Sequence, residues 1–331
     1  MKPTHVPIGI LAVLCLLATA GGAAAVTIVD YTGQSADLAG PAERIVSLSS
    51  SASELICALD GVGQLVGRGG TSQFPPSLDS VPEMGKSSYS PSMELILEAQ
   101  PEVVIADTML SQENRALMED AGIAVVEESF VDPEHLAQAI ANIGEILGRE
   151  ARAADLIEFI EGYQEMVEGR VSGFSDRPRV FLERDQAYQT ASAQTSDNQL
   201  IDAAGGENIA AGETVKYPTV SPEWVAERDP EVIILSIWSV EGEEISRDEM
   251  IHAKEEIFGR PGLAQVSAVR DERVYVYNSR LASGIRSVIG EIYMAKWFHP
   301  DLFGDLDAGE VHEEMMERFY GLQLKGTYVY P

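Results

Sequence analysis

The sequence predicts an α/β protein of two lobes, whose mainly parallel sheets are joined by a long rigid helix. Short apolar runs alternate with amphipathic stretches in both halves of the chain, which is the pattern of parallel strands covered by helices on both faces. A proline-free amphipathic stretch over residues 149–171 separates the halves. Each half also contains an acidic residue seven positions before a proline that leads into a strand.

Length and composition limit the protein class and its partners. The 331 residues suggest about two domains, and 45% hydrophobic content is that of a globular protein with a sizeable core. The formal net charge of −30 disfavours nucleic acid and anionic membranes as partners, because both repel an acidic surface. We expect a monomer. Cys57 lies among apolar residues, so a buried thiol and no intramolecular disulfide are predicted.

Residues 1–25 have the features of a secretory signal peptide. Lys2 precedes an apolar run over residues 8–20, and small residues at 23–25 offer a cleavage site. The run is too short for a good transmembrane span. Cys15 follows a leucine, whereas a lipid-anchoring cysteine usually follows a small residue, so a lipoprotein is disfavoured. We expect the mature chain to be exported, to the periplasm or the outer face of the cytoplasmic membrane.

The N-terminal lobe is assigned to residues 26–132. An edge strand is predicted over residues 26–31, before a turn at Thr32 and Gly33. Ser51 with Glu54 three residues later matches a capping box, which predicts the start of the first helix. Further elements follow in alternation: strands at residues 44–48, 65–67, 103–106 and 123–126, and helices at 51–61, 92–99 and 112–121.

A helical connector is assigned to residues 133–171. Asp132 is a predicted N-cap, followed by proline at the first helical position, and Gly148 is a predicted C-cap. We therefore predict two helices that break at Gly148, with one kinked helix as the alternative. The second helix, over residues 149–171, forms a rod of about 33 Å at about 1.5 Å per residue, long enough to act as a strut between two lobes.

The C-terminal lobe is assigned to residues 172–331. It repeats the alternation of strands and helices, with predicted strands at residues 179–182, 232–235 and 274–277 and helices at 198–204, 223–228, 248–258, 285–297 and 310–320.

The two lobes share a local motif around Glu94 and Glu223. Each glutamate lies in the first turn of a predicted helix, and the spacing to the following proline, Pro101 or Pro230, is the same. The structural interpretation is that a carboxylate there complements the helix dipole. The functional interpretation is a pair of symmetric, exposed acidic side chains, one on each lobe.

Taken together, several segments resemble one protein family over essentially the whole mature chain. They are RIVSL at residues 44–48, SEL at 53–55, ALDGVG at 58–63, VG at 66–67, MELI at 93–96, PEVVI at 101–105, GGEN at 205–208 and VSPE at 220–223. The chain resembles the substrate-binding proteins of ABC importers for iron–siderophore, haem and cobalamin, the helical-backbone class of periplasmic binding proteins. The resemblance implies a ligand in the cleft between the lobes. It also implies that Glu94 and Glu223 dock into arginine pockets on the membrane permease.

Candidate ligand-binding residues lie at the carboxyl ends of the predicted strands, where open α/β sheets bind ligands. Aromatic side chains there supply flat apolar contact, and Arg and Lys pair with an anionic chelate. Tyr217 stands where cobalamin binders of the family carry an aromatic residue. The candidates are Arg68, Thr71, Phe74, Lys86, Tyr89, Thr108, Arg184, Tyr188, Tyr217, Trp238, Arg280 and Arg286. For each aromatic the alternative is packing in the core or at the rim, and for each arginine it is solvation.

Other functions fit the sequence less well. The glycines over residues 61–67 follow a helix and lack the G-x-G-x-x-G spacing of a nucleotide site. The histidines are scattered singly, so no site for a bare metal ion and no cofactor is predicted. Haem would need an axial ligand, for which Tyr89, Tyr188 and Tyr217 are candidates. We expect a non-enzymatic receptor for a metal chelate, with a ferric siderophore favoured over a corrinoid or haem. An exported sensor and a two-lobed hydrolase remain as alternatives.

Overall fold

The computed structural model describes residues 25–238 and 245–331. The predicted signal peptide and Cys15 lie outside the described residues, apart from residue 25. None of the described helices combines the length and the apolar character needed to cross a membrane.

The first lobe alternates strands and helices as predicted. Its elements are β1 (Val26–Val29), β2 (Ser35–Leu38), β3 (Ile45–Ser47), α1 (Ser50–Ala58), β4 (Leu65–Arg68), α2 (Met93–Ala99), β5 (Val103–Asp107), α3 (Gln112–Asp120) and β6 (Ala124–Glu128). β3 to β6 form a parallel sheet in the order β4-β3-β5-β6. The order reverses between β3 and β5, which creates a crevice at their carboxyl ends.

Two helices connect the lobes, α4 (Pro133–Leu147) and α5 (Glu150–Val171). A carboxylate oxygen of Asp132 accepts the N–H of Glu134 at 3.1 Å, which confirms the predicted N-cap. Gly148 ends α4 in the left-handed conformation, with φ of 64°. The prediction of two helices is therefore confirmed, and the alternative of one kinked helix is wrong.

The second lobe repeats the topology of the first. Its elements are β7 (Arg179–Glu183), α6 (Ser196–Ala203), β8 (Glu207–Asn208), α7 (Pro222–Arg228), β9 (Val232–Ile237), α8 (Arg247–Phe258), α9 (Ser267–Arg270), β10 (Val274–Asn278), α10 (Ser287–Phe298), α11 (Ala308–Tyr320) and β11 (Val329–Tyr330). The sheet order is β11-β10-β9-β7-β8, which matches the first sheet with one antiparallel strand, β11, added at the edge. The predicted fold class, two α/β lobes with mainly parallel sheets, is confirmed.

The repeat extends to individual hydrogen bonds after α2 and α7. Gln100 and Asp229 end these helices in the left-handed conformation, with φ of 47° and 41°. The guanidinium of Arg44 donates to the carbonyl of Gln100 at 3.0 Å, and that of Arg179 donates to the carbonyl of Asp229 at 2.8 Å. In each lobe, an arginine thus fixes the turn between the helix, α2 or α7, and the strand that follows it.

Two local predictions are wrong. The strand at the N-terminus does not join the edge of the parallel sheet, because β1 pairs with β2 in a separate antiparallel hairpin. The capping box of Ser51 and Glu54 does not form either, because Ser49 is the N-cap of α1 and makes no side-chain cap hydrogen bond. The Glu54 carboxylate bonds to residues of the other lobe instead.

The apolar core is continuous from one lobe to the other. In each sheet alternate side chains face inward, and these join the connector helices in one cluster that includes Val103, Leu156 and Val180. The opposite faces of the sheets pack in two separate clusters, one for each lobe. The connector is therefore more than a spacer, because its buried face binds both lobes. The lobe boundaries at residues 132 and 171 stay a prediction.

Polar contacts also cross the connector. The Arg152 guanidinium of α5 donates to the carbonyl of Ala58 at 2.7 Å and to the carbonyl of Phe319 at 2.9 Å, which lie in different lobes. Cys57, next to the first of these, is buried as predicted, and burial raises the pKa of its thiol to about 11.

Glu291 is a buried carboxyl on α10, 4% exposed, that faces α5. Its hydrogen-bond partner is the Gln164 amide, at 3.5 Å. Burial raises the pKa of Glu291 from 4.5 to about 7, and the nearby Glu168 charge acts in the same direction. The ionised carboxylate of Glu291 is therefore less stable in the folded protein than in the unfolded chain, so its ionisation destabilises the fold.

We expect Glu291→Gln to stabilise the protein at neutral and alkaline pH. A raised folded-state pKa means that the destabilisation by Glu291 is absent below the unfolded pKa of 4.5, grows up to about pH 7, and then stays constant. Urea unfolding should show an increase in the free energy of unfolding of up to about 3 kcal/mol near pH 8 and little change near pH 4. Glu161→Gln, at an exposed position of α5, is the control. An equal effect of Glu291→Gln at both pH values would contradict this account.

Candidate ligand-binding cleft

A cavity of about 1090 Å³ lies between the two lobes. Its walls come from segments that follow the carboxyl ends of the parallel strands. Ser50 follows β3, Thr71 follows β4, Arg184 follows β7, Trp238 follows β9 and Arg280 follows β10. The switch points of both sheets thus face each other across this cleft, as expected for a ligand site of open α/β sheets.

Seven of the twelve predicted ligand-binding residues line the cleft. They are Thr71, Lys86, Arg184, Tyr217, Trp238, Arg280 and Arg286. The indole of Trp238 is 62% exposed and Tyr217 is 37% exposed, so both rings can contact a solute.

Two of the predicted residues have partners inside the first lobe instead. Arg68 is 7% exposed and does not line the cleft; its Nε donates to the carbonyl of Leu78 at 3.0 Å and its Nη2 lies 3.4 Å from the Glu83 carboxylate. Phe74 packs against the guanidinium of Arg286, 4.8 Å from the ring centre, and lines a neighbouring cavity.

Three further candidates lie away from the cleft wall. Tyr89 is 74% exposed, and Thr108 is exposed after β5. Tyr188 has a φ of 62°, its N–H donates to the Glu183 carboxylate at 2.7 Å, and its ring lies 5.0 Å from the Arg260 guanidinium. Of the three tyrosines considered as haem ligands, Tyr217 is the one that lines the cleft.

An ion pair on the second lobe positions Arg184 and Tyr217. The Arg184 Nη1 lies 2.9 Å from the carboxylate of Asp197, which is 2% exposed and also accepts the Tyr277 hydroxyl at 2.8 Å. Burial raises the pKa of Asp197, against the effect of the Arg184 charge. The Arg184 guanidinium lies 4.3 Å from the centre of the Tyr217 ring, which fixes this ring at the cleft wall.

A second ion pair, at the base of the cleft, joins the two lobes. Arg286 is 3% exposed; its Nε lies 2.7 Å from one oxygen of Glu54, and its Nη2 donates to the other at 3.0 Å. The Tyr320 hydroxyl donates to the same carboxylate at 2.8 Å. Burial acts to lower the pKa of Arg286, but the Glu54 charge and hydrogen bond, together with Tyr320 and Tyr328, outweigh it and the pKa is raised. Arg286 therefore stays charged, and its contact with Glu54 holds α1 against the second lobe.

The described walls of the cleft carry one lysine in addition to carboxylates that are paired with arginines. Each carboxylate among its described lining residues is matched by an arginine, since Glu54 pairs with Arg286, Asp197 with Arg184, and Glu83 with Arg68. Lys86 adds a further cation on the wall of the first lobe. In a chain with a net charge of −30, this region is distinct from the acidic surface around it.

The described residues contain no group of three or more His, Cys, Asp or Glu side chains that could hold a metal ion. His312 illustrates the environment of the histidines. It is fully buried on α11, and burial, together with the Arg286 charge, lowers its pKa to about 3. It is a neutral core residue at physiological pH.

Glu94 and Glu223 are both exposed, in the first turns of α2 and α7. The pKa of Glu223 is lowered by its own backbone N–H and by the Ser221 hydroxyl, so this side chain is charged at neutral pH. The structure thus places one exposed carboxylate at the start of the equivalent helix in each lobe.

Sequence reasoning missed a polar part of the cleft wall. Its members are Ser50, Ser51, Glu54, Gln73, Glu83, Ser92, Ser196, Asp197, Ser236, Ser279 and Ser283. The position of Ser279 directly after a strand, and of Ser50 three residues after the end of one, was the available signal. Glu54 and Asp197 gave no such signal, because Glu54 matched a capping pattern and Asp197 lies in the first turn of its helix, where the helix alone explains a carboxylate.

We expect Glu54→Gln to destabilise the protein by about 3 kcal/mol or more, because it leaves the Arg286 charge buried without its partner. Urea unfolding measures this loss. The double variant Glu54→Leu/Arg286→Met should be more stable than Glu54→Gln, since it removes both charges. As a control, Asp155→Asn breaks the exposed pair with Arg318 and should cost less than about 1 kcal/mol. Equal effects of Glu54→Gln and Asp155→Asn would show that the inter-lobe pair is not structurally important.

Comparison with known proteins agrees with this geometry. The family model described as periplasmic binding protein matches residues 45–281. The uncharacterized ABC transporter substrate-binding lipoprotein YvrC of Bacillus subtilis is 25% identical over 291 residues, 84% of this chain and 87% of that protein. A vitamin B12-binding protein of Yersinia pestis is 28% identical over 198 residues, 59% of this chain and 70% of that protein.

A solved structure shows the same fold. The TroA-like periplasmic binding protein FepB from Veillonella parvula superposes with a TM-score of 0.81 at 23% identity, covering 92% of this chain and 99% of that one. The two lobes, the cleft at the carboxyl ends of their strands and the match over most of the chain lead to one conclusion: the chain belongs to the periplasmic binding protein family, whose members are solute-binding proteins and not enzymes.

Proposed function

We propose that this chain is the extracytoplasmic solute-binding component of an ABC importer, which captures a metal chelate between its lobes and delivers it to the permease. The observation that carries the proposal is the cleft of about 1090 Å³ at the switch points of both sheets. It is slightly larger than the range of about 300–1,000 Å³ for drug-sized ligands, which suits a bulky chelate. The relative named as an ABC transporter substrate-binding lipoprotein supports the transport role.

An anionic ferric siderophore is the chelate that fits the wall chemistry best. Lys86 lies on the first-lobe wall outside the ion pairs of the cleft, so an anionic group beside it gains electrostatic attraction. The Lys86 ammonium is exposed and forms no ion pair with any described residue. The rings of Tyr217 and Trp238 add flat apolar contact for aromatic or macrocyclic groups.

A corrinoid is the second candidate. The vitamin B12-binding relative and the position of Tyr217 in the cleft favour it. Charge separates the two candidates, because binding of an anionic chelate weakens with added salt, whereas binding of an uncharged corrinoid depends on apolar contact and changes little.

Delivery would use Glu94 and Glu223 as the contacts with the permease. The two carboxylates occupy equivalent positions in two lobes of the same topology, and both are exposed. Exposed carboxylates suit pairing with arginines of a membrane partner. The connector and the inter-lobe pair of Arg286 and Glu54 limit the movement of the lobes, so the spacing of the two carboxylates changes little when a ligand binds.

Binding can be measured by quenching of tryptophan fluorescence with a ferric catecholate, a ferric hydroxamate, haemin and cyanocobalamin. We expect a ferric siderophore to bind, and Lys86→Glu and Trp238→Ala each to weaken it by about tenfold, the first more strongly at low salt. Arg149→Glu, at an exposed position that does not line the cleft, is the charge-matched control. Binding of cyanocobalamin alone would select the corrinoid, and binding of none of the four would contradict the proposal.

Docking can be separated from binding with the double variant Glu94→Arg/Glu223→Arg. We expect its chelate affinity to stay within about twofold of the native protein and its stimulation of permease ATPase activity in liposomes to be lost, because like charges replace the ion pairs. Glu98→Arg/Glu227→Arg, exposed one turn later on the same two helices, is the matched control and should stimulate normally. Equal loss in both variants would remove the special role of Glu94 and Glu223.

A further inference from the structure

A second cavity of about 330 Å³ lies beside the cleft, beneath the chain segment that follows α11. Its walls are largely apolar and include Phe74, Met316, Leu322 and Tyr328. Its volume is at the lower end of the range for small-molecule pockets, about 300–1,000 Å³, which is room for one ring with its substituents. We call it the side pocket.

The side pocket and the cleft share part of their walls. Gln73, Arg280 and Arg286 line both spaces. A solute bound in the cleft could therefore extend a side group into the side pocket past these three residues. The segment over residues 321–328, which has no counterpart in the first lobe, covers the other side.

The charged groups among the described lining residues of the side pocket are cationic. Arg286 is 3% exposed; two of its nitrogens face Glu54, but Nη1 is buried and has no hydrogen-bond partner among the described residues. Lys325 is exposed and forms no ion pair with a described residue. Although the chain has 53 acidic residues, none of the described lining residues is Asp or Glu. The exposed Lys325 ammonium is therefore the group that can pair with an anionic ligand in this pocket.

We propose that the side pocket is a binding subsite for a compact aromatic or branched apolar group that carries a carboxylate. The apolar walls contact the ring, while Lys325 attracts the carboxylate. The group belongs to the solute held in the cleft, a part of the proposal that rests on the proposed function. The subsite would select, among metal chelates, those with a carboxylated arm.

The probe for this subsite is benzoate, with benzamide as the uncharged analogue of the same shape. Titrations followed by NMR should show benzoate binding to the native protein and benzamide binding about tenfold more weakly or not at all. Lys325→Glu, at an exposed position, should weaken benzoate by about tenfold without affecting folding. Leu322→Trp, which fills the apolar part of the pocket, should do the same. Arg149→Glu and the cleft variant Trp238→Ala should leave benzoate affinity unchanged.

The proposal is overturned if benzoate does not bind, or if benzoate and benzamide bind equally. It is also overturned if Trp238→Ala weakens benzoate while Lys325→Glu and Leu322→Trp do not, since the probe then occupies the cleft. Because benzoate contains no metal, these results are independent of the siderophore and corrinoid titrations. Failure of the side pocket and failure of the proposed function are therefore distinguishable.

Discussion

The coupling of the two lobes is the constraint on which the rest of the structure depends. Each sheet has its own hydrogen-bonded ladder, yet one apolar core runs from β3 through α5 to α11. At the base of the cleft, the buried pair of Arg286 and Glu54 adds a directional contact between the lobes. An apolar core fixes how close the lobes come, and a buried ion pair with defined geometry fixes their relative orientation. The carboxyl edges of the two sheets consequently face each other across a permanent cleft.

The shared topology explains why function can be distributed over two lobes. Both sheets have the same strand order, so both place a switch point at the cleft. In each lobe, the equivalent helix, α2 or α7, carries an exposed glutamate in its first turn. The copies differ where ligand chemistry is expected. The second lobe supplies Arg184, Tyr217 and Trp238, while the first supplies Lys86 and a row of small polar residues. Under the proposed function, the symmetric features serve docking and the asymmetric ones serve ligand recognition.

The sequence predicted the elements whose signals are local. The apolar stripe and the missing prolines located α5, and Asp132 and Gly148 marked the ends of α4. β2, β8 and β11 were missed, because they are two to four residues long and carry no distinct pattern. The fold class followed because parallel strands are buried on both faces and read as continuous apolar runs.

The cleft was predictable only in part, because side-chain direction depends on distant contacts. Arg68 and Arg184 both follow strand positions, but the chain after β4 folds back and offers Arg68 the carbonyl of Leu78, which turns it away from the cleft. Glu54 matched a local capping pattern, whereas its partner Arg286 lies 232 residues later. A local sequence pattern cannot identify a partner that lies so far away in the chain.

The most direct test of the central claim is the position of the metal in crystals grown with a ferric siderophore, located by anomalous scattering at the iron absorption edge. The account predicts an iron peak between the lobes, within reach of the walls that carry Lys86 and Tyr217, while the pair of Arg286 and Glu54 stays intact. A peak outside the cleft, or lobes that separate with loss of this ion pair, would contradict it.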